Sequence, residues 1–239
     1  ITNVWESNAD NTLTVVVLDS TDADMTENYE ITYECGKLII HRLKITVITE
    51  DYEWIYDGQA HGWGGHRVSD STPLVEGHRT EVDTLFEITN VWDGPADNTL
   101  TVVILDSADA DMTENYEITY QCGTLTINPL PITVITESHT FIYNGLAQYW
   151  DVHTVSPETP LVEGHRTNVL TYTEIVNVWD GPIPNELTVA ILNGNGEDMT
   201  RHYAITYEYG ELVVDPLSIT VITEGNRWTY DGEIHSWIG

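Results

Sequence analysis

One motif returns at a fixed interval, and that interval limits what the chain can fold into. Ile88-Thr89-Asn90-Val91-Trp92-Asp93 has counterparts in Ile1-Thr2-Asn3-Val4-Trp5-Glu6 and in Ile175-Val176-Asn177-Val178-Trp179-Asp180. The steps from Trp5 to Trp92 and from Trp92 to Trp179 are both 87 residues. A fixed period of this length divides a chain into similar units, each large enough for a small core of its own. The period sets four segments: 1–43, the C-terminal half of a repeat; 44–130 and 131–217, two complete repeats; and 218–239, the N-terminal part of a further repeat. Residue 1 corresponds to residue 88, so the chain is expected to be a section of a longer array.

Within a repeat the apolar residues alternate with period two, as in half-buried strands. Residues 44–50, 54–58, 72–80, 84–92, 100–105, 116–121 and 124–128 read as strands or strand–turn pieces in the first complete repeat. The second reads alike at 132–137, 141–145, 160–167, 170–179, 187–192, 203–208 and 211–214. Residues 29–34 and 37–40 read as a hairpin turning at Gly36, and Asp57-Gly58 as a tight turn. Residues 61–70, rich in Gly and His, carry no clear period. No segment sustains a helical period of 3.6. Seven or eight short strands per unit describe an all-β chain of tandem immunoglobulin-like antiparallel β-sandwiches. Asn128-Pro129-Leu130-Pro131 and Asp215-Pro216-Leu217 join the units without any Gly/Ser spacer. Proline restricts the backbone there, so stiff joints and an extended rod are expected.

Composition excludes some functions. Eight Lys and Arg stand against thirty-nine Asp and Glu, a formal net charge of −31. Binding nucleic acid needs a basic face, so that role is excluded, and an anionic membrane surface is disfavoured for the same reason. The 41% hydrophobic content, with eight Trp and thirteen Tyr, argues against disorder. No apolar run is long enough to insert into a bilayer. Cys35 and Cys122 occupy equivalent positions, where the third copy has Tyr209. They read as small buried residues, with an intermolecular bridge as the lesser alternative.

The ordered set of motifs carries a resemblance. Tyr56-Asp57-Gly58, Tyr143-Asn144-Gly145 and Tyr230-Asp231-Gly232 each follow an Ile-Thr-Val opening strand. Leu-Val-Glu-Gly-His comes mid-repeat, followed by Asp-Met-Thr-Glu-Asn-Tyr-Glu-Ile-Thr-Tyr and a Gly-x-Leu closing strand. Along its whole length the chain resembles the YDG/MBG-type bacterial immunoglobulin-like repeat. That resemblance implies tandem β-sandwiches in large surface or secreted, often adhesin-like, bacterial proteins, and no catalytic residues. Asn144 departs from the Asp of the motif, although an Asn-Gly turn has the same backbone tolerance.

Three groups of residues are candidates for a site. Asp19, Asp22 and Asp24 recur as Asp106, Asp109 and Asp111. Carboxylates clustered in one loop offer oxygen ligands to Ca²⁺. The third copy has Asn193, Gly196 and Asp198 at these positions, which favours an Asp-rich turn. Trp54, Trp63, Trp150, Trp228 and Trp237 surround the Tyr-(Asp/Asn)-Gly turns and read either as core and joint packing or as a platform for glycan or lateral contacts. His78-Arg79 and His165-Arg166 read as a solvated edge that offsets the acidic surface. Only Lys37 and Lys44 exist, so a lysine isopeptide bond cannot recur in each repeat. No nucleophile–base constellation recurs.

The expected function is structural: a section of a long extracellular bacterial stalk or filament on the cell surface, built of rigid repeats. Its partners would be neighbouring copies of the same array, through lateral filament contacts. The alternative is an adhesin that binds glycan or a host protein through the Trp-rich turns. The recurring Trp5, Trp92 and Trp179 read as a core-and-corner element that each sandwich needs.

Overall fold

Ile45, Val47 and Thr49 are buried while their neighbours are not. That alternation places one face of a strand on a core. In the computed structural model, which describes residues 1–237, the chain is all-β and built of several small sheets. It divides into two compact units that meet at Pro129/Leu130.

In the first unit, β1 (Ala9–Asp10) and β2 (Lys37–Leu38) precede β3 (Leu43–Thr49), β4 (Tyr52–Ile55), β5 (His66–Val68) and β6 (Arg79–Leu85). There follow β7 (Ala96–Asp97), β8 (Leu100–Leu105), β9 (Tyr116–Gln121) and β10 (Thr124–Asn128). One sheet has the order β5-β3-β9, a second β4-β10-β7, and β6 pairs with β8. Ile45 and Val47 from β3, Leu100, Val102 and Ile104 from β8, and Tyr116 from β9 form one apolar cluster, flanked by Val68 and Val82. The β5-β3-β9 sheet therefore packs against β8.

The second unit holds β11 (Leu130–Thr136), β12 (His139–Ile142), β13 (His153–Val155), β14 (Arg166–Tyr172), β15 (Ile183–Pro184), β16 (Leu187–Leu192), β17 (Tyr203–Glu208) and β18 (Glu211–Asp215). Its sheets are β13-β11-β17, β12-β18-β15 and β14-β16. Each pairing repeats that of the first unit, residue for residue: Leu43 faces Tyr116 and Leu130 faces Tyr203, while Tyr52 faces Leu125 and His139 faces Leu212. Even the bulge falls alike, between Val82 and Thr84 and between Val169 and Thr171.

Two expectations are corrected. The three-stranded sheets are mixed, because β3 runs parallel to β9 and β4 parallel to β10, while β6 and β8 pair antiparallel. Residues on either side of Gly123 form no hairpin, since β9 and β10 belong to different sheets. The reason is a double corner. The chain bends after Thr49, from β3 into β4, where it also bends at Gly123, from β9 into β10, and the two bends run side by side. Thr49 Oγ1 donates to the Asn98 carbonyl at 2.8 Å and accepts from Gly123 N at 2.9 Å. Asn98 N donates to the Gly123 carbonyl at 2.8 Å, and Asn98 Nδ2 donates to the Glu50 carbonyl at 2.8 Å. Thr49 and Asn98 are both buried. A Cβ on Gly123 would overlap the Glu50–Asp51 backbone, so only glycine lets the two chains lie this close. Thr136, Asn185, Gly210 and Glu137 form the same knot in the second unit.

Most of residues 1–43 and 217–237 lies outside strands; 29–34, expected as a strand, forms none. The other expected strand ends also move: 84–92 stops at Leu85, a single bridge joins Ile88 to His61, and residues 91–93 form a 3₁₀ turn.

Thr49→Val removes the hydroxyl that holds two buried backbone groups, each worth about 1–3 kcal/mol when left unpaired. Gly123→Ala forces a backbone shift costing about 1–3 kcal/mol. Chemical denaturation followed by Trp fluorescence should show both losses, while an exposed control such as Thr101→Val stays near wild type.

Candidate functional site

The Asp-rich loop is built as a turn. Asp106 Oδ1 accepts from Ala108 N at 2.8 Å and Ala110 N at 2.9 Å, and Asp111 Oδ1 accepts from Thr113 N at 2.8 Å. Asp109 takes the left-handed conformation with φ 64° and pairs with Arg79. The first copy repeats this: Asp19 Oδ1 accepts from Thr21 N and Ala23 N, Asp24 Oδ1 from Thr26 N, and Asp22 has φ 60°. The third copy shows why its residues differ. Asn193 Oδ1 accepts the same two bonds, at 2.9 and 3.0 Å. Gly196 takes the left-handed position with φ 82°, and Asp198 keeps the bond to Thr200 N. Each replacement preserves a turn role rather than an oxygen ligand. Among the described residues no group of three or more His, Cys, Asp or Glu is placed to hold a metal ion.

These turn bonds hold the carboxylates of Asp19, Asp24, Asp106, Asp111 and Asp198 below the usual range. For Asp106 the cause is the Ala110 amide, then the Ala108 amide; for Asp111 it is the Thr113 hydroxyl, then its amide.

The Trp-rich turns pack as ring stacks. Trp63 stacks on Tyr52 at 4.0 Å, Trp54 on His61 at 5.1 Å, and Trp150 on His139 at 3.8 Å. Trp54, Trp63 and Trp150 are half-buried, and Trp150 adjoins the apolar cluster of Ile175, Leu212 and Val214. Trp228, stacked on His235 at 5.2 Å, and Trp237 are exposed. The turn itself explains Asn144. Asp57 Oδ1 lies 2.9 Å from His61 Nε2, and Asp231 Oδ1 lies 2.8 Å from His235 Nε2. In the second repeat both partners change together, and Asn144 Nδ2 donates to Gln148 Oε1 at 3.2 Å. A carboxylate–imidazole pair is thus replaced by an amide–amide pair that still bonds. Partial burial opposes ionisation of Asp57, but hydrogen bonds from the Gln59 amide and His61 outweigh it and hold its pKa below the usual range.

Two readings are reversed. Cys35 and Cys122 are exposed, as is Tyr209 at the equivalent position. The His-Arg pair is no simple solvated edge: His78 Nδ1 lies 2.6 Å from the Tyr116 hydroxyl, and His165 Nδ1 lies 2.6 Å from that of Tyr203. Both tyrosines are buried, which leaves their hydroxyls in need of an internal partner. Burial also holds His165 below the usual imidazole range. Arg79 and Arg166 bond the carbonyls of Asp106 and Asn193, tying β6 and β14 to the Asp loops. The recurring Trp is a corner but not a core residue: Trp92 is 53% exposed and Trp179 81%. Its turn is capped by Asn90 and Asp93, while the neighbouring Ile88 is buried instead.

Reasoning from sequence missed one further feature. In the first unit, Val4 N donates to Asn115 Oδ1 at 2.8 Å, and Asn115 Nδ2 donates to Asn3 Oδ1 at 3.0 Å. Arg42 Nε donates to the Glu114 carbonyl at 3.1 Å. These bonds seat the Asn3–Glu6 turn on the Thr113–Asn115 turn, beside a cavity of about 390 Å³ bordered by Ile40, Leu43, Val75 and Met112. The recurrence of Met-Thr-Glu-Asn at 25–28 and 112–115 was the available signal.

No family model, curated protein or solved structure matches this chain.

Two outcomes follow. Turn carboxylates with depressed pKa add stability that is full above their unfolded value, near 4, and is lost as pH falls through the folded value. Asp106→Asn with Asp111→Asn should therefore flatten the loss of stability below about pH 4, measured by denaturation across pH. Millimolar Ca²⁺ against EDTA should leave the melting temperature unchanged; a rise would make the Asp loops a metal site.

Proposed function

We propose that this chain is a structural section of an extracellular bacterial stalk or filament, a rod of immunoglobulin-like β-sandwich repeats of the YDG/MBG type. One observation carries the reading. Two successive repeats keep every strand register, the buried knot, the bulge and the His–Tyr bond. Where they differ, the exchanges preserve the framework: Asp57–His61 becomes Asn144–Gln148, Asp106 becomes Asn193, and Asp109 becomes Gly196. Two copies of a binding site would keep exposed ligand contacts in common. These two keep the scaffold, and exposed residues that they share, such as Trp92 and Trp179, sit on its capped turns, as suits a spacer.

Stiffness is expected at the connection, where Pro129 alone stands between β10 and β11. Proline removes freedom from that single residue. The acidity, net −31, keeps such arrays soluble and mutually repelling. The Trp-rich turns offer less to a glycan, because their ring faces are already stacked on Tyr52, His61 and His139.

Small-angle scattering tests the rod. A globular chain of this length has a radius of gyration on the order of 18 Å. A value well above that, with a long tail in the distance distribution, is expected; a value near it would defeat the proposal.

A further inference from the structure

We propose that the His–Tyr pair of each complete repeat is an acid-released latch on the loop that carries the histidine, residues 69–78 and 156–165. Each loop crosses from a three-stranded sheet to a two-stranded one, from β5 to β6 and from β13 to β14. It is held at two places. The first half is tied to the opening strand: Ser69 N donates to the Thr46 carbonyl at 2.9 Å, and Thr46 N donates to Thr72 Oγ1 at 2.9 Å. Ser156, Thr133 and Thr159 repeat these bonds. The second half rests on the tyrosine. Val75 N donates to the Tyr116 hydroxyl at 3.3 Å, as Val162 N does to that of Tyr203. His78 closes the turn by donating its own amide to the Val75 carbonyl at 3.0 Å, and its ring reaches the same hydroxyl at 2.6 Å. Between the two anchors Leu74 packs against the core.

The partners assign the protons. An amide can only donate, so each tyrosine oxygen accepts from the valine, and its one hydroxyl proton is directed to the histidine Nδ1. The neutral ring then carries its own proton on Nε2. A second proton, added at Nδ1, turns that acceptor into a donor. Two donors now face one oxygen, and the hydroxyl proton of a buried tyrosine loses its acceptor, which favours opening. The other recurring histidine is wired the opposite way. His66 Nδ1 lies 2.8 Å from the Gly64 carbonyl and His153 Nδ1 2.8 Å from that of Asp151, so both carry the proton on Nδ1. Their Nε2 atoms meet the hydroxyls of Thr80 and Thr167, which accept as readily as they donate. Those rings can charge without losing a bond.

Other titratable groups surround the latches. Around His78 are Tyr116 on β9, Asp106 after β8 and His41 on the border of the same cavity. Its own segment adds Glu76 and Arg79, the latter paired with Glu81 and Asp109. Around His165 are Tyr203, Glu163, Arg166 and His202, which stands at the position of Asn115, while neutral Asn193 replaces Asp106. Burial holds His165 below the usual imidazole range. Such a group adds stability to the closed loop that is full above about 6.5, the value of an open loop. That stability is lost as pH falls through 6.5 towards the closed-loop value.

Two measurements on the full chain test the latch. Nitrogen-15 NMR at neutral pH reads the tautomers: His165 should carry its proton on Nε2 and His153 on Nδ1, and a His165 protonated on Nδ1 overturns the proposal. Amide hydrogen exchange, corrected for its intrinsic pH dependence, reads the opening. Protection of Val162 N should fall by up to about tenfold per pH unit below about 6.5, while Ser156 N, on the other anchor, keeps its protection. In His165→Gln, protection of Val162 N should not change with pH, whatever its level. His202→Asn, which installs the residue of the first repeat, should keep the wild-type profile. A Val162 amide equally protected across the range in wild type overturns the latch, as does a pH dependence that survives His165→Gln or disappears in His202→Asn.

Discussion

Each repeat depends on one buried polar knot. Thr49, Asn98 and Gly123 tie together two chains that change sheet at the same level, and Thr136, Asn185 and Gly210 do so again. Apolar burial alone would not fix this arrangement, because it is non-directional. Buried amides and carbonyls must find partners, and here the partners lie 25 to 74 residues apart in sequence. The knot sets which strand lies beside which. The apolar alternation of β3 and β8 then decides which faces close over the core.

The rest of the repeat is free to vary around that constraint. The Asp57–His61 pair becomes Asn144–Gln148 with the turn preserved. Gly196 replaces Asp109 at a position that needs a left-handed residue. Tyr52 becomes His139 and still stacks on the equivalent tryptophan, Trp63 or Trp150, while Trp54 becomes Phe141, which meets His139 edge-on. Exchanges of this kind leave the turn and ring geometry of each repeat in place.

Much of the fold was legible because its signals are local. The 87-residue period, the alternating strands, the Asp57-Gly58 turn and the Asp-rich turn are short-range patterns. The strand count came through as well: the first complete repeat has eight. Strand direction was not legible. A run such as 116–128, split by Gly123, reads locally as a hairpin, and only the distant Thr49 and Asn98 show that the glycine is a corner. The candidate site was read less well. His78 looked solvated because nothing nearby in sequence reveals Tyr116 as its partner. Trp92 looked like a core residue because it recurs, but the recurrence belongs to the capped turn that carries it and to the buried Ile88 beside it. The Asp loop was legible as a turn once its third copy was compared, since Asn193 and Gly196 fill the same turn positions.

The knot can be tested in the unmodified protein. Native-state hydrogen exchange reads each amide separately, and only groups that open with the whole fold exchange at the slowest rate. The amides of Asn98, Gly123, Asn185 and Gly210 are expected in that slowest class, protected beyond those at the outer ends of the β6–β8 and β14–β16 pairs. Exchange at these four amides as fast as at the hairpin ends would contradict the view that the double corner holds each repeat together.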